Sequence, residues 1–368
     1  MKLILLSDIN STHTQKWAGS LAKRGFSIGI FSLSNPQTNW FDKYNNIKLL
    51  SDSNVSSEAF HGSSFNKSIY LKLVPALKKA IREFKPDILH AHYATSYGLL
   101  GRLSRFHPFI ISCWGSDVMD FPKRGILQRF ILKNNLKHAD KILATSKTIE
   151  KYIHEIIKKE VVITPFGVDT NIFKPAKVKS LFSENDLVIG SIKQLEEIYC
   201  IDILIKSFNN IKTKYPGLSL KLLIVGSGSK ENELKSLVNE FKLNNNVIFT
   251  GWVENNLISD YHNMIDIFVN ISERESFGVS VLEAGACEKA IIASNIDAFS
   301  EIIIHNETGI LVEPKNTEET FYAIERLITD PDFRKKIGIN ARKRVADLFD
   351  WKKNLNEIIE IYSNIKIN

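Results

Sequence analysis

Cysteine is scarce in this chain of 368 residues, and Cys113, Cys200 and Cys287 are an odd number with no C-x-x-C spacing. That excludes a disulfide framework and a zinc site of ordinary spacing. No apolar run approaches the roughly 20 residues that cross a membrane as a helix. The opening Met1–Leu6 is stopped by Ser7-Asp8, too short for a signal peptide and suited to a first buried strand, so a cytoplasmic protein is expected. No G-x-G-x-x-G follows that strand, which argues against a dinucleotide oxidoreductase. The only D-x-D, Asp330-Pro331-Asp332, opens a helical pattern and reads as a turn and cap. Neither a metal nor another cofactor is therefore expected. Arginine-rich helices, finger spacings and aromatic RNP-like strands are all missing, so nucleic acid is not an expected partner.

What is present suits an ordinary globular protein too long for one core, hence two domains. Charge is unevenly spread between them. Residues 1–175 hold 25 Lys and Arg against 13 Asp and Glu, an excess of 12 in a chain whose total is +7, so the remainder is net acidic. The basic half should face something anionic, and an anionic membrane surface or a lipid-linked phosphate fits best.

The chain opens as βαβ, with a strand at Leu3–Leu6, a loop at residues 8–14, a helix at Gln15–Arg24 closed by Gly25, and a strand at Phe26–Phe31. His13 falls in that first loop, on the ligand side of such a sheet. A polar stretch at 51–68 reads as loop, Ile69–Phe84 as an amphipathic helix, and Pro86–Tyr93 as a strand ending in His90 and His92. Alternation sets both histidines on one face, with His92 nearer the ligand end. Ile110–Cys113 and Lys141–Ser146 read as further strands. The second half opens on Leu187–Lys193, followed by Leu220–Val225, a small-residue turn at Gly226–Ser229, a helix at Glu231–Phe241, Val247–Phe249, Ala290–Ser294, a hairpin-like segment at Thr308–Val312, and helices to the end.

The most informative stretch is Ile271–Gly285. A strand, a tight turn at Phe277-Gly278 and a helix leave backbone N–H groups at Gly278, Val279 and Ser280 free to cradle an anion or sugar hydroxyls. Glu275 and Glu283 flank that cradle at i, i+8 spacing. Carboxylates accept hydroxyl protons, which suits a polyol. Glu275-Ser-Phe-Gly-Val-Ser-Val-Leu-Glu283 resembles the E-x7-E signature of the retaining glycosyltransferases of family 4.

That resemblance covers nearly the whole chain and implies the α/β GT-B fold, two facing Rossmann-like domains with parallel sheets. The implied division is 1–172 for the acceptor, 173–348 for the nucleotide-sugar, and 349–368 as a helix crossing back to the first domain. It assigns Glu275 and the backbone of Phe277, Gly278 and Val279 to the donor sugar and Glu283 to its ribose; Gly190 and Ser191, just before Lys193, are taken with the donor site, and His92, at the ligand end of its strand, joins Glu275 and Lys193 as a catalytic candidate. Ser112-Cys-Trp114-Gly-Ser-Asp117 resembles the family's Ser-x-His-Gly-x-Asp with Trp in place of His, and puts Asp117 beside His13 on the acceptor side. The family's diphosphate-binding Arg aligns with Lys193, but its Lys aligns with Ile198 and the following Gly with Cys200. The implied activity is retaining transfer from a nucleotide-sugar to a glycan or lipid-linked acceptor in cell-surface polysaccharide or glycoconjugate synthesis; the D-x-D reading adds that no metal is expected, and the basic first half that this cytoplasmic protein could sit peripherally on the inner face of the membrane. Ile198 and Trp114 keep one rival open, a catalytically weak nucleotide-sugar-binding subunit; a second, a GT-B sugar-nucleotide epimerase, is disfavoured by the E-x7-E stretch.

Overall fold

A computed structural model describes residues 1–51 and 67–365, with side chains left out of account at 67–71. The stretch read as loop at 51–68 lies almost wholly outside these residues. The chain divides into two units, Met1–Pro165 with Leu355–Asn368, and Phe166–Asn354.

In the first unit seven parallel strands, β1 (Lys2–Leu6), β2 (Ser27–Phe31), β3 (Ile47–Leu49), β4 (Ile88–His92), β5 (Phe109–Cys113), β6 (Lys141–Ala144) and β7 (Val161–Ile163), lie in the order β3-β2-β1-β4-β5-β6-β7. Residues of β4 and β5 are buried along their whole length, as expected of parallel strands covered on both faces. Leu6, Leu89, Ile111, Leu132 and Leu136 are among the side chains that fill this core. The first helix begins at Thr12, three residues earlier than its apolar spacing suggests: the Ser11 carbonyl already accepts from Gln15 N at 3.0 Å, although the Ser11 side chain makes no capping bond. His13 therefore stands on the first helical turn and not in the loop.

In the second unit six parallel strands, β8 (Leu187–Ile192), β9 (Leu220–Val225), β10 (Val247–Phe249), β11 (Ile267–Asn270), β12 (Ala290–Ser294) and β13 (Ile310–Val312), lie in the order β10-β9-β8-β11-β12-β13. The segment read as hairpin-like is instead a parallel edge strand: Ile310 to Val312 pair with Ile292 to Ser294, and only the turn at His305 to Gly309 folds back locally. Asp330 caps the helix Pro331–Leu348 by accepting from Phe333 N at 2.9 Å, so the lone D-x-D is a cap.

Both sheets reverse strand order once, between β1 and β4 and between β8 and β11. Open parallel sheets bind ligands in the crevice outside the strand ends at that reversal. His92 ends β4 in one unit, while Lys193 follows β8 and Glu275 follows β11 in the other.

Candidate functional site

In the second unit the loop after β8 is pressed onto the turn after β9. Lys193 N donates to Val225 O and Leu195 N to Ser227 O. Gly226 has φ +135, and a Cβ there would lie 1.9 Å from the Lys193 carbonyl oxygen. The small-residue turn therefore serves close backbone packing that fixes Lys193. Gly190 also serves packing. It pairs with Leu223 and Phe268 in neighbouring strands, and a Cβ would meet Ile265 at 2.6 Å. Ser191 is buried. Both positions are thus taken up by packing within the strand.

The Lys193 ammonium donates to Glu275 Oε1, and both side chains are largely buried, at 16% and 12% exposure. It also lies 4.4 Å from the centroid of the Tyr199 ring. Ser272 Oγ donates to Asn270 Oδ1 at 2.6 Å and approaches Glu275 Oε1 at 3.4 Å, while Asn270 donates to Ser280 Oγ at 3.2 Å. Glu275 is thus held from two sides.

Phe277 buries its ring between Phe166 and Phe349, at 5.9 and 6.1 Å between centroids, leaving only its backbone for ligands. Gly278, with φ +105, caps the helix Val279–Ala286, where a Cβ would strike the Phe299 ring at 2.7 Å. Among the described residues no hydrogen bond engages the amides of Gly278, Val279 or Ser280. Glu283, one turn inside the helix, lies 3.4 Å from Nε2 of the fully buried His262, whose Nδ1 has no hydrogen-bond partner among the described residues. His262 was not anticipated; the helix Ile258–Met264 carries no motif, and its only sequence signal is a lone histidine among polar residues.

Beside this group a cleft of about 480 Å³ is lined by Glu197, Ile198, Glu273 and Arg274. Glu273 N donates to Ile198 O at 2.8 Å, tying the two loops together, and Lys315 pairs with the Glu273 carboxylate at 2.7 Å. Where the family carries Lys, this cleft has the apolar Ile198, and Arg274, which the motif did not single out, lines it as well. The signal was its place next to Glu275.

In the first unit His92 Nδ1 shares a hydrogen bond with Ser7 Oγ at 3.0 Å, and Ser7 with Thr14 Oγ1 at 2.6 Å. The His92 ring stacks on Trp114 at 4.6 Å, and His13 meets the same indole edge-on at 5.6 Å. Trp114 therefore lies with His13 and His92 in one aromatic cluster. Burial, with neighbouring His90 and His13 adding to it, holds His92 well below the usual imidazole range; burial and then Lys16 lower His13 to about 4. Both are neutral at pH 7, so they can accept a hydroxyl proton but cannot neutralise a phosphate. Asp117 is buried and its carboxylate accepts from the amides of Ala94, Trp114 and Gly115 at 2.8, 3.2 and 2.8 Å. It holds the loop that carries Trp114, so a part on the acceptor side would be that of a positioning residue.

His90 is bonded on both ring nitrogens, to Tyr362 Oη at 2.7 Å and Ser112 Oγ at 2.8 Å, and burial pushes its pKa down to about 3. Below pH 6.5 the unfolded chain takes up a proton that the folded chain refuses, so stability rises with pH between about 3 and 6.5 and is lost as pH falls. At pH 5 His90 alone should cost about 2 kcal/mol. Thermal unfolding from pH 7 to 5 should show this loss together with those of His92 and His13, and His90→Asn should reduce it by about 2 kcal/mol; an unchanged slope in the variant would count against the assignment.

Among the described residues no group of three or more His, Cys, Asp and Glu is gathered as a metal would need. Two family profiles match the chain, "Glycosyl transferase 4-like" over residues 2–146 and "Glycosyl transferases group 1" over residues 173–344. The chain is 25% identical over 314 residues to N-acetyl-alpha-D-glucosaminyl L-malate synthase of Bacillus anthracis, covering 80% of this chain and 79% of that one. It is 34% identical over 199 residues to a capsular polysaccharide biosynthesis glycosyltransferase of Staphylococcus aureus, 54% of this chain and 51% of that one. Anabaena HepE, solved with UDP and glucose, matches with a TM-score of 0.79 at 17% identity over 99% of this chain and 100% of that one, a likeness that speaks to fold. With both profiles placed and the strand order of two Rossmann-like sheets in hand, the chain belongs to the group 1 glycosyltransferases of the family 4 type and has the GT-B fold.

Proposed function

We propose that this glycosyltransferase takes a sugar from a nucleotide-sugar donor bound by its second unit and transfers it, with retention, to a glycan or lipid-linked acceptor. It would do so in the cytoplasm and without a metal ion. The observation that carries the donor reading is the meeting of Lys193, Glu275 and the open amides of Gly278–Ser280 at the strand reversal of the second sheet. Free amides and a cation suit a departing diphosphate, and electrostatic stabilisation of that leaving group is the term expected to dominate. Glu275, freed from Lys193 as the phosphates take over the ammonium, would accept from sugar hydroxyls. Glu283, steadied by His262, would accept from the ribose. HepE's solution with UDP and glucose supports a donor of this class. The neutral His92 and His13 beside Trp114 suit the acceptor hydroxyl.

A panel of nucleotide-sugars, each incubated with the protein and followed by mass spectrometry, should reveal one that is slowly hydrolysed or transferred. The second reading, a subunit that binds donor without turning it over, is favoured by Ile198 in the cleft. Tight binding of one nucleotide-sugar with no release of its diphosphate would select that reading instead.

A further inference from the structure

We propose that the helix Ile126–His138 of the first unit is a membrane-docking element that seats its N-terminal turn in an anionic lipid surface. Three large apolar side chains stand on five consecutive positions there, Ile126 at 91% exposure, Leu127 at 48% and Phe130 at 63%. Other exposed large apolar residues, such as Trp252, Ile172 and Tyr322, occur singly along the chain, which is normal for a protein surface. The opposite face of the helix is used: Ile131, Leu132, Asn135 and Leu136 are buried against the core. Spacings of four, three and four residues put Ile126, Phe130, Lys133 and Lys137 on one outward stripe.

Charge decides what covers it. Between residues 121 and 139 there are five Lys and Arg and no Asp or Glu. Lys123, Arg124, Arg129, Lys133 and Lys137 are all exposed. The groups that meet these cations from the neighbouring helix are not carboxylates: Arg129 donates to the Glu155 carbonyl at 2.7 Å, and Lys123 lies over the Tyr152 ring at 5.4 Å. The acids flanking this stretch are Asp120 and Asp140; Asp140 accepts from Phe109 N and bonds His107 Nδ1, and among the described residues no salt bridge joins either carboxylate to these five cations. An apolar knob ringed by uncompensated cations matches the acyl–headgroup boundary of an anionic bilayer. Among the described residues no helix is long and apolar enough to cross a membrane, so this contact would be peripheral. It extends the lipid-linked acceptor of the proposed function, and lipid binding can be measured without any transfer.

The test is co-sedimentation of the full chain with phosphatidylcholine vesicles, with or without about 30 mol% phosphatidylglycerol, in low and raised salt. Binding should need the anionic lipid and weaken with salt. Ile126→Ser with Phe130→Ser should weaken it at least tenfold, and Arg124→Gln with Lys133→Gln about fivefold per charge. All four positions are exposed, so melting curves should stay with the parent. Binding that is absent, equal without phosphatidylglycerol, or untouched by both pairs of substitutions would overturn the proposal. So would light scattering that shows a dimer abolished by the serine pair, since a second copy would then be the occupant. A failed nucleotide-sugar panel with intact vesicle binding would count against the proposed function alone.

Discussion

Glu275→Gln is expected to lower sugar transfer by about 10²-fold or more while leaving a cooperatively folded protein. The side chain stands in a turn and fills no core volume, and glutamine reproduces its length and its acceptor oxygen. What is lost is charge. In the structure that charge holds Lys193, itself only 16% exposed, so the substitution has a stability cost that the motif alone did not suggest. Removing one partner of a buried pair outright costs about 3–5 kcal/mol. Because glutamine still accepts a hydrogen bond, about 1–2 kcal/mol is expected here. Melting temperature and turnover, measured together, separate the two effects. Should turnover fall only as far as the folded fraction falls, Glu275 is a counter-ion and nothing more. A cycle with Lys193→Met sharpens this: if the carboxylate serves only the ammonium, adding Glu275→Gln to Lys193→Met should change nothing further.

The sheets were legible because parallel strands buried on both faces write themselves as short β-branched runs, and the positions of β1, β4, β8, β11 and β12 follow from such runs alone. The turn at Phe277-Gly278 was legible for a different reason. Only glycine fits at φ +105 against Phe299, so the local chemistry left one residue type there. Interactions between distant segments were not legible. Nothing in the spacing of Asp117 says that its carboxylate collects three amides, one of them from Ala94, and nothing near Gly226 says that the Lys193 carbonyl leaves no room for a Cβ. His262 was missed for the same cause, since its contact with Glu283 spans 21 residues. The edge strand β13 was misread because three residues between turns carry too short an alternation to separate a parallel strand from a hairpin. At His13 the error was smaller, a helix start displaced by one turn, yet it changes what presents the imidazole.

Lys193→Ala should weaken binding of a nucleoside diphosphate by about 10- to 150-fold, the equivalent of about 1.5–3 kcal/mol for a charge-assisted bond. Calorimetry with UDP and with GDP, each in turn, measures it. The family's second cation is Ile198 here, which lines the cleft and offers phosphate no charge. Arg274 lines the same cleft, and its planar fork could engage two phosphate oxygens where a lysine would meet one. Arg274→Ala should therefore weaken the diphosphate as well, by roughly tenfold. Ile198→Lys adds the missing ammonium between Glu197 and Glu273, and should tighten binding in the Arg274→Ala background more than in the parent, where one cation already serves. Lys193→Ala also leaves Glu275 without its partner, so a loss of affinity could come from a carboxylate now facing the phosphates. The double variant Lys193→Ala, Glu275→Gln separates the causes: a missing cation leaves it as weak as the single variant, whereas phosphate–carboxylate repulsion would let it recover. If Lys193→Ala binds both diphosphates as the parent does, the loop after β8 is not the phosphate site, and the open amides at Gly278–Ser280 must hold the leaving group without it.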